Sequence, residues 1–122
     1  MPKIKVTKNR IRIHVGNWWK KYKRNPDLFE EFRIHDVGRE QKSERVSAKV
    51  KGKGWITYAW DFDKSQVEKV GKTLIVKDQK ALEIIQKLKQ QGELKGYKIL
   101  IPVSKARKWK IHKRKIKGIE IV

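Results

Sequence analysis

The chain has 122 residues, which fits one domain over residues 1–122, and it contains no Cys, which excludes disulfide bonds and thiolate chemistry. No apolar stretch approaches the roughly 18 residues of a membrane span, and the N-terminus has no apolar signal region. We therefore expect an intracellular, cytoplasmic protein without a membrane partner. Lys and Arg outnumber Asp and Glu by 33 to 13, which gives a formal net charge of +20.

The positive charge is concentrated at the two ends of the chain. Residues 1–24 carry nine basic side chains and no acidic one, and residues 95–122 carry ten basic side chains and one Glu. Residues 25–94 hold the remaining 14 basic and 12 acidic groups. Self-repulsion at this density destabilises a compact chain, so we expect a polyanionic partner that screens the charge. A charged fraction of 38% without Cys is typical of thermophile proteins, and we expect an archaeal thermophile as the source.

One strand and two helices are predicted near the N-terminus. Residues 10–15 alternate basic and apolar side chains, as a strand with a cationic outer face does. A short helix is predicted over residues 18–24, with the side chain of Asn17 as its N-cap. Pro26 favours the first turn of a second helix, capped by Asn25. The apolar stripe of that second helix would consist of Leu28, Phe29 and Phe32.

A β-hairpin is predicted in the middle of the chain, where residues 45–51 and 55–62 flank the turn-forming sequence Gly-Lys-Gly. In the second of these strands, strict alternation separates two sets of side chains. One face would carry Ile56, Tyr58, Trp60 and Phe62, and the other would carry Trp55, Thr57, Ala59 and Asp61. We expect the first set to face the core. A sheet face with spaced aromatic rings can also stack bases, and Trp55 is the best candidate for such a ring.

The segment after the hairpin predicts a strand and a helix. Residues 72–77 are predicted to form the strand. Asp78 is predicted to cap a helix whose apolar residues recur at i, i+3, i+4 and i+7, and Gly92 is predicted to end it.

The C-terminal third predicts two more strands and a short basic helix. Residues 97–103 form a strand in which Pro102 indicates an edge position or the end of pairing. Ser104 is expected to cap the short helix, and residues 116–122 to form a last strand. These elements predict an α+β fold: an antiparallel sheet of about four to five strands with about three helices.

The first candidate binding cluster lies on the predicted N-terminal helix. Aromatic faces interleaved with cations suit single-stranded nucleic acid, because rings stack on unpaired bases while ammonium and guanidinium groups hold phosphates. In the alternative interpretation, both Trp rings fill the core beside Phe29 and Phe32 while the lysines are solvated. The residues of this cluster are Trp18, Trp19, Lys20, Lys21, Tyr22, Lys23 and Arg24.

The second candidate cluster is the basic run near the C-terminus, for which we expect phosphate binding. An ordinary solvated face is the alternative, but Trp109 and Ile111 indicate that the segment folds against something. Base-specific readout is not indicated, because no Asn, Gln or Arg spacing suggests a recognition helix. The candidate residues are Arg107, Lys108, Trp109, Lys110, His112, Lys113, Arg114 and Lys115.

Catalytic chemistry has weak support in the sequence. His14, His35 and His112 are far apart in the chain and have no metal-ligand spacing. Asp61 and Asp63 face one way on a strand, but a third ligand for a divalent cation is not evident. We therefore expect no catalytic residues, no metal and no cofactor.

The chain resembles the ThermoDBP group of archaeal single-stranded DNA-binding proteins. The resemblance is carried by the small, Cys-free, basic α+β character of the chain and by the Trp18–Arg24 cluster. Members of that group hold unpaired bases in a hydrophobic, basic-rimmed cleft, and some related members oligomerise. The resemblance implies a preference for single-stranded DNA over RNA and duplex DNA, and it implies that the chain can form a homo-oligomer.

The expected function is non-enzymatic binding of single-stranded DNA, or of RNA, with little sequence specificity. Lys and Arg would contact phosphates, and Trp and Tyr would stack on bases. Two alternatives belong to other classes. One is a small basic nuclease that uses His and Lys or the pair Asp61 and Asp63. The other is a chromatin or virion protein that coats duplex DNA and keeps its Trp residues in the core.

Overall fold

The computed structural model describes residues 4–37, 43–112 and 118–122, with the side chains of Asp36 and Val37 left aside. Within these residues the fold is α+β, with three α-helices, a five-stranded antiparallel sheet and a four-stranded mixed sheet. The fold class predicted from the sequence is confirmed. The sequence pattern predicts a single antiparallel sheet and does not predict the second, mixed sheet.

The first sheet has the strand order β1-β2-β5-β4-β3, and every neighbouring pair is antiparallel. Between β2 and β3 the chain forms helix α1 (Trp18–Arg24) and a 3₁₀ turn (Pro26–Leu28). The strands are β1 (Ile4–Val6), β2 (Arg10–His14), β3 (Phe29–Val37), β4 (Ser43–Val50) and β5 (Gly54–Asp63).

The second sheet has the order β6-β7-β8-β9. Its first two strands form an antiparallel hairpin, and the other neighbours are parallel, joined through α2 and α3. The elements are β6 (Val67–Val70), β7 (Thr73–Val76), α2 (Gln79–Gln90), β8 (Lys98–Ile101), α3 (Val103–Lys108) and β9 (Ile119–Ile121). None of the described helices is long and apolar enough to cross a membrane.

The predicted second helix is wrong. Pro26 opens a single 3₁₀ turn, and the chain continues as the nine-residue strand β3, which pairs with β4 at every residue except Glu30. Apolar and polar residues alternate from Phe32 to His35, which suits a strand with one face on the sheet's apolar side. Pairing along the whole of β4 therefore outweighs the local helix-start signal of Pro26.

Four helix caps are predicted; Asn25 makes no side-chain capping bond to the 3₁₀ turn, and two of the other three are also wrong. The side chain of Asn17 makes no capping hydrogen bond, and its backbone carbonyl accepts from the first turn instead. Helix α3 begins at Val103, one residue before Ser104, and Pro102 takes the cap position. By contrast, the Asp78 carboxylate accepts from the backbone N–H groups of α2 as predicted, at 3.0 and 3.2 Å. Pro102 ends the pairing of β8, which lies inside the second sheet.

A β-bulge at Tyr58 changes which side chains of β5 share a face. Val46 pairs with Ala59 and Ser47 with Thr57, so Tyr58 is the extra residue on β5. As a result Tyr58 and Ala59 both pack into the core of the first sheet. Trp60 and Phe62 pack on the other side of the sheet, which divides the predicted apolar row between two cores.

Two hydrophobic cores result from this arrangement. The smaller one covers one face of β3, β4 and β5, and Trp18, Trp19 and Ile56 are partly buried against it; its members are Phe29, Val46, Ala48, Val50, Tyr58 and Ala59. The larger one joins the second sheet and α2 to residues of the first sheet, namely Ile11, Ile13 and Phe62. Helix α1 belongs to the smaller core, while Trp109 packs against the larger one.

Candidate nucleic-acid interface

Helix α1 lies on the first sheet in a position that leaves it incompletely buried. Gly16 makes the turn after β2 with a φ of +62°, a conformation that favours glycine, and its N–H donates to the Glu93 carboxylate at 2.8 Å. Trp18 and Trp19 are both half-buried against the smaller core, and no residue of α1 is fully buried. Each of the two Trp residues therefore serves the core and also presents part of its ring at the surface.

Lysine ammonium groups lie over both of these Trp rings. The Nζ atom of Lys21 is 4.4 Å from the centroid of the Trp18 ring, and the Nζ atom of Lys53, from the β4–β5 turn, is 5.2 Å from it. Over Trp19, the ammonium groups are those of Lys20 at 5.5 Å and Lys23 at 5.8 Å. The first turn of α1 contains no acidic residue. The exposed side of α1 therefore combines aromatic surface with concentrated positive charge.

Two exposed aromatic rings extend this surface. Tyr22 is 37% exposed, and its ring lies edge-on to that of Phe32 at 5.3 Å between centroids. Phe32, on β3, is 40% exposed and stacks on Phe29 with an interplanar angle of 6°. We define the helix surface as the exposed sides of these residues: Trp18, Trp19, Lys20, Lys21, Tyr22, Lys23, Arg24, Phe32 and Lys53.

Phe32 and Lys53 are members of the helix surface that the sequence prediction missed. The sequence pattern predicts Phe32 in the buried stripe of a helix that does not form. The alternation of residues 32–35 was the available signal for its true position on a strand face. Lys53 was assigned only to a turn, because nothing in the sequence indicates that this turn reaches α1.

Tyr58 lies beneath the helix surface, where its ring contacts Tyr22 at 6.4 Å and Phe32 at 5.3 Å. Burial raises the pKa of the Tyr58 phenol above its usual value of 10.0, the neighbouring Tyr22 adds to this shift, and the Arg12 guanidinium opposes it. His14 is buried in an edge contact with Tyr58 at 5.3 Å. The aromatic residues thus continue from α1 into the sheet.

Trp55 lies apart from the helix surface, on the opposite face of the first sheet. It pairs with Lys49 across β4, while its neighbour Ile56 packs with the α1 residues in the smaller core. Trp55 is 42% exposed, and the Arg33 guanidinium lies 4.7 Å from its ring centroid. The ring is accessible, as predicted for a stacking candidate, but it is not part of the same face as Trp18 and Trp19.

The C-terminal cluster is held by the larger core. Trp109 is half-buried against that core, as Trp18 and Trp19 are against the smaller one. Lys110 adopts a φ of +57° where α3 ends, and the next residue returns to the helix through a hydrogen bond from its N–H to the Ala106 carbonyl at 2.9 Å. The exposed residues of this cluster are Arg107, Lys108, Lys110 and His112. Lys113, Arg114 and Lys115 lie outside the described residues.

The two carboxylates considered for catalysis are engaged in other contacts. Asp61 is buried and bonded to the guanidinium Nε atoms of Arg10 and Arg12, the latter at 3.0 Å. Asp63 accepts from the backbone N–H of Ser65 at 2.8 Å. Over residues 4–37, 43–112 and 118–122, no group of three or more His, Asp or Glu residues could hold a metal ion.

No family model matches this chain, and neither a curated protein nor a solved structure matches it. Apart from the preference for DNA over RNA, the geometry and charge of the surfaces described above carry the function proposed below.

Proposed function

We propose that this protein binds single-stranded nucleic acid without strong sequence specificity and without cleaving it. The helix surface stacks on unpaired bases and holds their phosphates, and the exposed basic residues of the C-terminal cluster add phosphate contacts. The preference for DNA over RNA follows from the resemblance to the ThermoDBP group.

The observation that carries this proposal is the pairing of rings and cations on α1. Two Trp rings are each approached by two ammonium groups, at centroid distances between 4.4 and 5.8 Å. Tyr22 and Phe32 add exposed aromatic surface beside them. Unpaired bases expose their π-faces whatever their identity, whereas duplex DNA hides them, so this combination favours single strands of any sequence.

The direct test is a binding titration with fluorescein-labelled single-stranded and duplex oligonucleotides of the same sequence, repeated across salt concentrations. The logarithm of the affinity should fall linearly with the logarithm of the salt concentration, with a slope of about −0.7 per phosphate contacted on the single strand. A flat salt response would contradict phosphate binding. Equal affinity for duplex and single strand would favour the duplex-coating alternative.

A matched pair of triple variants separates local contacts from the overall charge. Replacing Lys20, Lys21 and Lys23 by Gln should reduce the salt slope by about 2, because three contacts are lost. The control replaces Lys8, Lys72 and Lys95 by Gln. These three lysines are exposed and lie outside the helix surface, and their replacement removes the same amount of charge. The proposal fails if the two triple variants lose the same affinity.

The absence of cleavage is tested separately. The carboxylate of Asp61 is already bound by two arginines, and His14 is buried beside Tyr58, so neither is presented to a scissile phosphate. Purified protein should leave single-stranded DNA and RNA intact on prolonged incubation with Mg²⁺ or Mn²⁺. Cleavage that is abolished in His112→Ala or in Asp61→Asn would establish the nuclease alternative.

A further inference from the structure

A second cationic feature lies at the β1 edge of the first sheet, outside the helix surface. A pocket of about 220 Å³ is lined by Lys5, Thr7, Arg10, Arg12 and Asp61. Lys5 pairs with Arg12 across β1 and β2, and Arg12 pairs with Asp61 across β2 and β5. The three charged side chains therefore form one row on one face of the sheet.

The buried carboxylate fixes the orientation of the two guanidinium groups. Asp61 accepts from Nε of Arg10 through one oxygen and from Nε of Arg12 through the other, at 3.0 Å in the second case. A guanidinium has five N–H donors in a rigid plane, so a bond through Nε orients the remaining donors. Asp61 is thus a positioning residue for the donors that border the pocket.

The charge balance of the pocket suits an anion. Three cations line it against a single carboxylate, which is already engaged by both arginines. Glu44 reduces the excess of positive charge beside Arg10, since its carboxylate lies 3.8 Å from Nη2 of Arg10. Arginine donors in a planar fork match the oxygen atoms of phosphate. Thr7 also lines the pocket, but its hydroxyl is engaged by the Arg10 backbone, donating to the carbonyl at 3.3 Å and accepting from the N–H at 3.2 Å.

The pocket is on the same sheet face as the residues beneath the helix surface. Arg12 and His14 are two residues apart on β2 and therefore point to the same side. His14 contacts Tyr58, which in turn contacts Tyr22 and Phe32. A nucleic acid strand stacked on the helix surface could place one of its phosphates towards the pocket.

We propose that this pocket binds a phosphate group through Lys5, Arg10 and Arg12, with Asp61 holding both guanidinium groups in position. The assignment of that phosphate to a nucleic acid rests on the proposed function, whereas the site itself can be tested with phosphate alone. Three sources share the chemistry: a terminal phosphate of a strand, an internal phosphodiester, and free inorganic phosphate.

The test follows the arginine Nε–H signals of the whole protein by ¹⁵N-edited NMR during titration with inorganic phosphate, with sodium chloride at equal ionic strength as the control. The signals of Arg10 and Arg12 should shift and saturate, while that of Arg45, on the opposite face of the sheet, should not. Arg12→Gln should weaken phosphate binding about tenfold or more. Lys5→Gln leaves the pair with Asp61 intact, so it tests the same site without exposing a buried charge, and Arg45→Gln is the matched control.

Oligothymidylates of about eight nucleotides, with and without a 5′-phosphate, then identify the source. Stronger binding of the phosphorylated strand assigns a terminal phosphate to the pocket. If both strands compete equally with inorganic phosphate for the pocket, an internal phosphodiester is assigned. If inorganic phosphate saturates the arginine signals and neither strand binds, the pocket stands and the proposed function falls. If strands bind the helix surface but no phosphate source moves these signals, or if Arg45→Gln loses as much affinity as Arg12→Gln and Lys5→Gln, the pocket proposal is overturned.

Discussion

The two cationic ends of the chain have nearly the same composition but different structural settings. Both combine lysines and arginines with embedded Trp residues. At the N-terminal end, Trp18 and Trp19 lie on a short helix over the smaller core, with ammonium groups above their rings and exposed aromatic neighbours. At the C-terminal end, Trp109 packs against the larger core, and the exposed groups around it are basic.

We propose from this difference that only the N-terminal end forms a stacking surface, although both ends mix Trp and Lys. All three rings are half-buried, and the difference lies in their surroundings, because exposed aromatic rings lie beside α1 whereas exposed basic groups surround Trp109. The smaller core is covered by a seven-residue helix in which no residue is fully buried, so its rings stay partly at the surface. The exposed groups around Trp109 are basic, so we propose that the C-terminal cluster contributes charge and that Trp109 serves as packing. We therefore expect the two ends to contribute differently to binding.

The largest expected effect comes from removing charge at each end in turn. Replacing Lys20, Lys21 and Lys23 by Gln should weaken single-strand binding by about 100-fold at about 0.1 M salt, because three phosphate contacts are lost. It should also reduce the preference for single strands over duplex. Replacing Arg107, Lys108 and Lys110 by Gln should weaken binding to both forms alike. Salt-dependent titrations of the two variants check this, and identical effects on strand preference would remove the distinction between the ends.

The aromatic part of the comparison predicts a smaller effect. Phe32→Ala or Tyr22→Ala should each reduce single-strand affinity by about 1–3 kcal/mol if a base stacks on the ring. Each change also removes ring contacts with Phe29 and Tyr58, so affinity is compared under conditions where the variant is folded. Trp55→Ala is the control, since it removes an exposed ring from the opposite face of the same sheet. An equal loss in the control would place stacking on both faces and contradict the account.

Trp109 should behave as a packing residue. Because its ring is half-buried, Trp109→Ala should lower the free energy of unfolding by about 1–2 kcal/mol, below the 3–5 kcal/mol typical of a fully buried aromatic residue. Single-strand affinity, measured where the variant is folded, should stay close to that of the wild type. Urea denaturation and the same titration give the two quantities. A loss of affinity without a loss of stability would make Trp109 a stacking residue.

The smallest expected effect concerns pH and the ring beneath the helix surface. Burial raises the pKa of Tyr58 above its usual 10.0, so the folded state holds the phenol proton more tightly than the unfolded state. The resulting stabilisation is fully present below pH 10 and is lost as the pH rises through the raised pKa. Denaturation experiments at a pH of about 9 and about 11 should therefore show that the free energy of unfolding falls more between these two pH values in the wild type than in Tyr58→Phe. An equal fall of the free energy of unfolding in both proteins would contradict a stabilising role for the Tyr58 phenol proton.

Strongly periodic and capped elements could be predicted from the sequence. The hairpin of β4 and β5 follows from alternation around Gly-Lys-Gly, and α2 follows from its apolar spacing and from Asp78. Strand β3 could not be predicted in the same way, because Pro26 is an equally good start for a helix and for a 3₁₀ turn. Its pairing partner β4 decides the outcome, and this information is not local.

The candidate site could be predicted in part. The Trp18–Arg24 cluster lies on a helix with its cations exposed, as predicted. The bulge at Tyr58, the contact of Lys53 with Trp18 and the exposure of Phe32 depend on how the strands register, which composition does not encode. Trp55 is exposed as expected, but alternation along β5 places it on the face away from α1.

The central claim is that the N-terminal Trp residues stack on bases while the C-terminal one packs in a core, and the five Trp residues of the chain allow a direct test. Incorporating 5-fluorotryptophan gives one ¹⁹F signal for each Trp, assigned with single Trp→Phe variants and followed during titration with oligothymidylate. The account predicts large shifts for Trp18 and Trp19 and a small shift for Trp109. A large shift of the Trp109 signal with unchanged signals from Trp18 and Trp19 would contradict it.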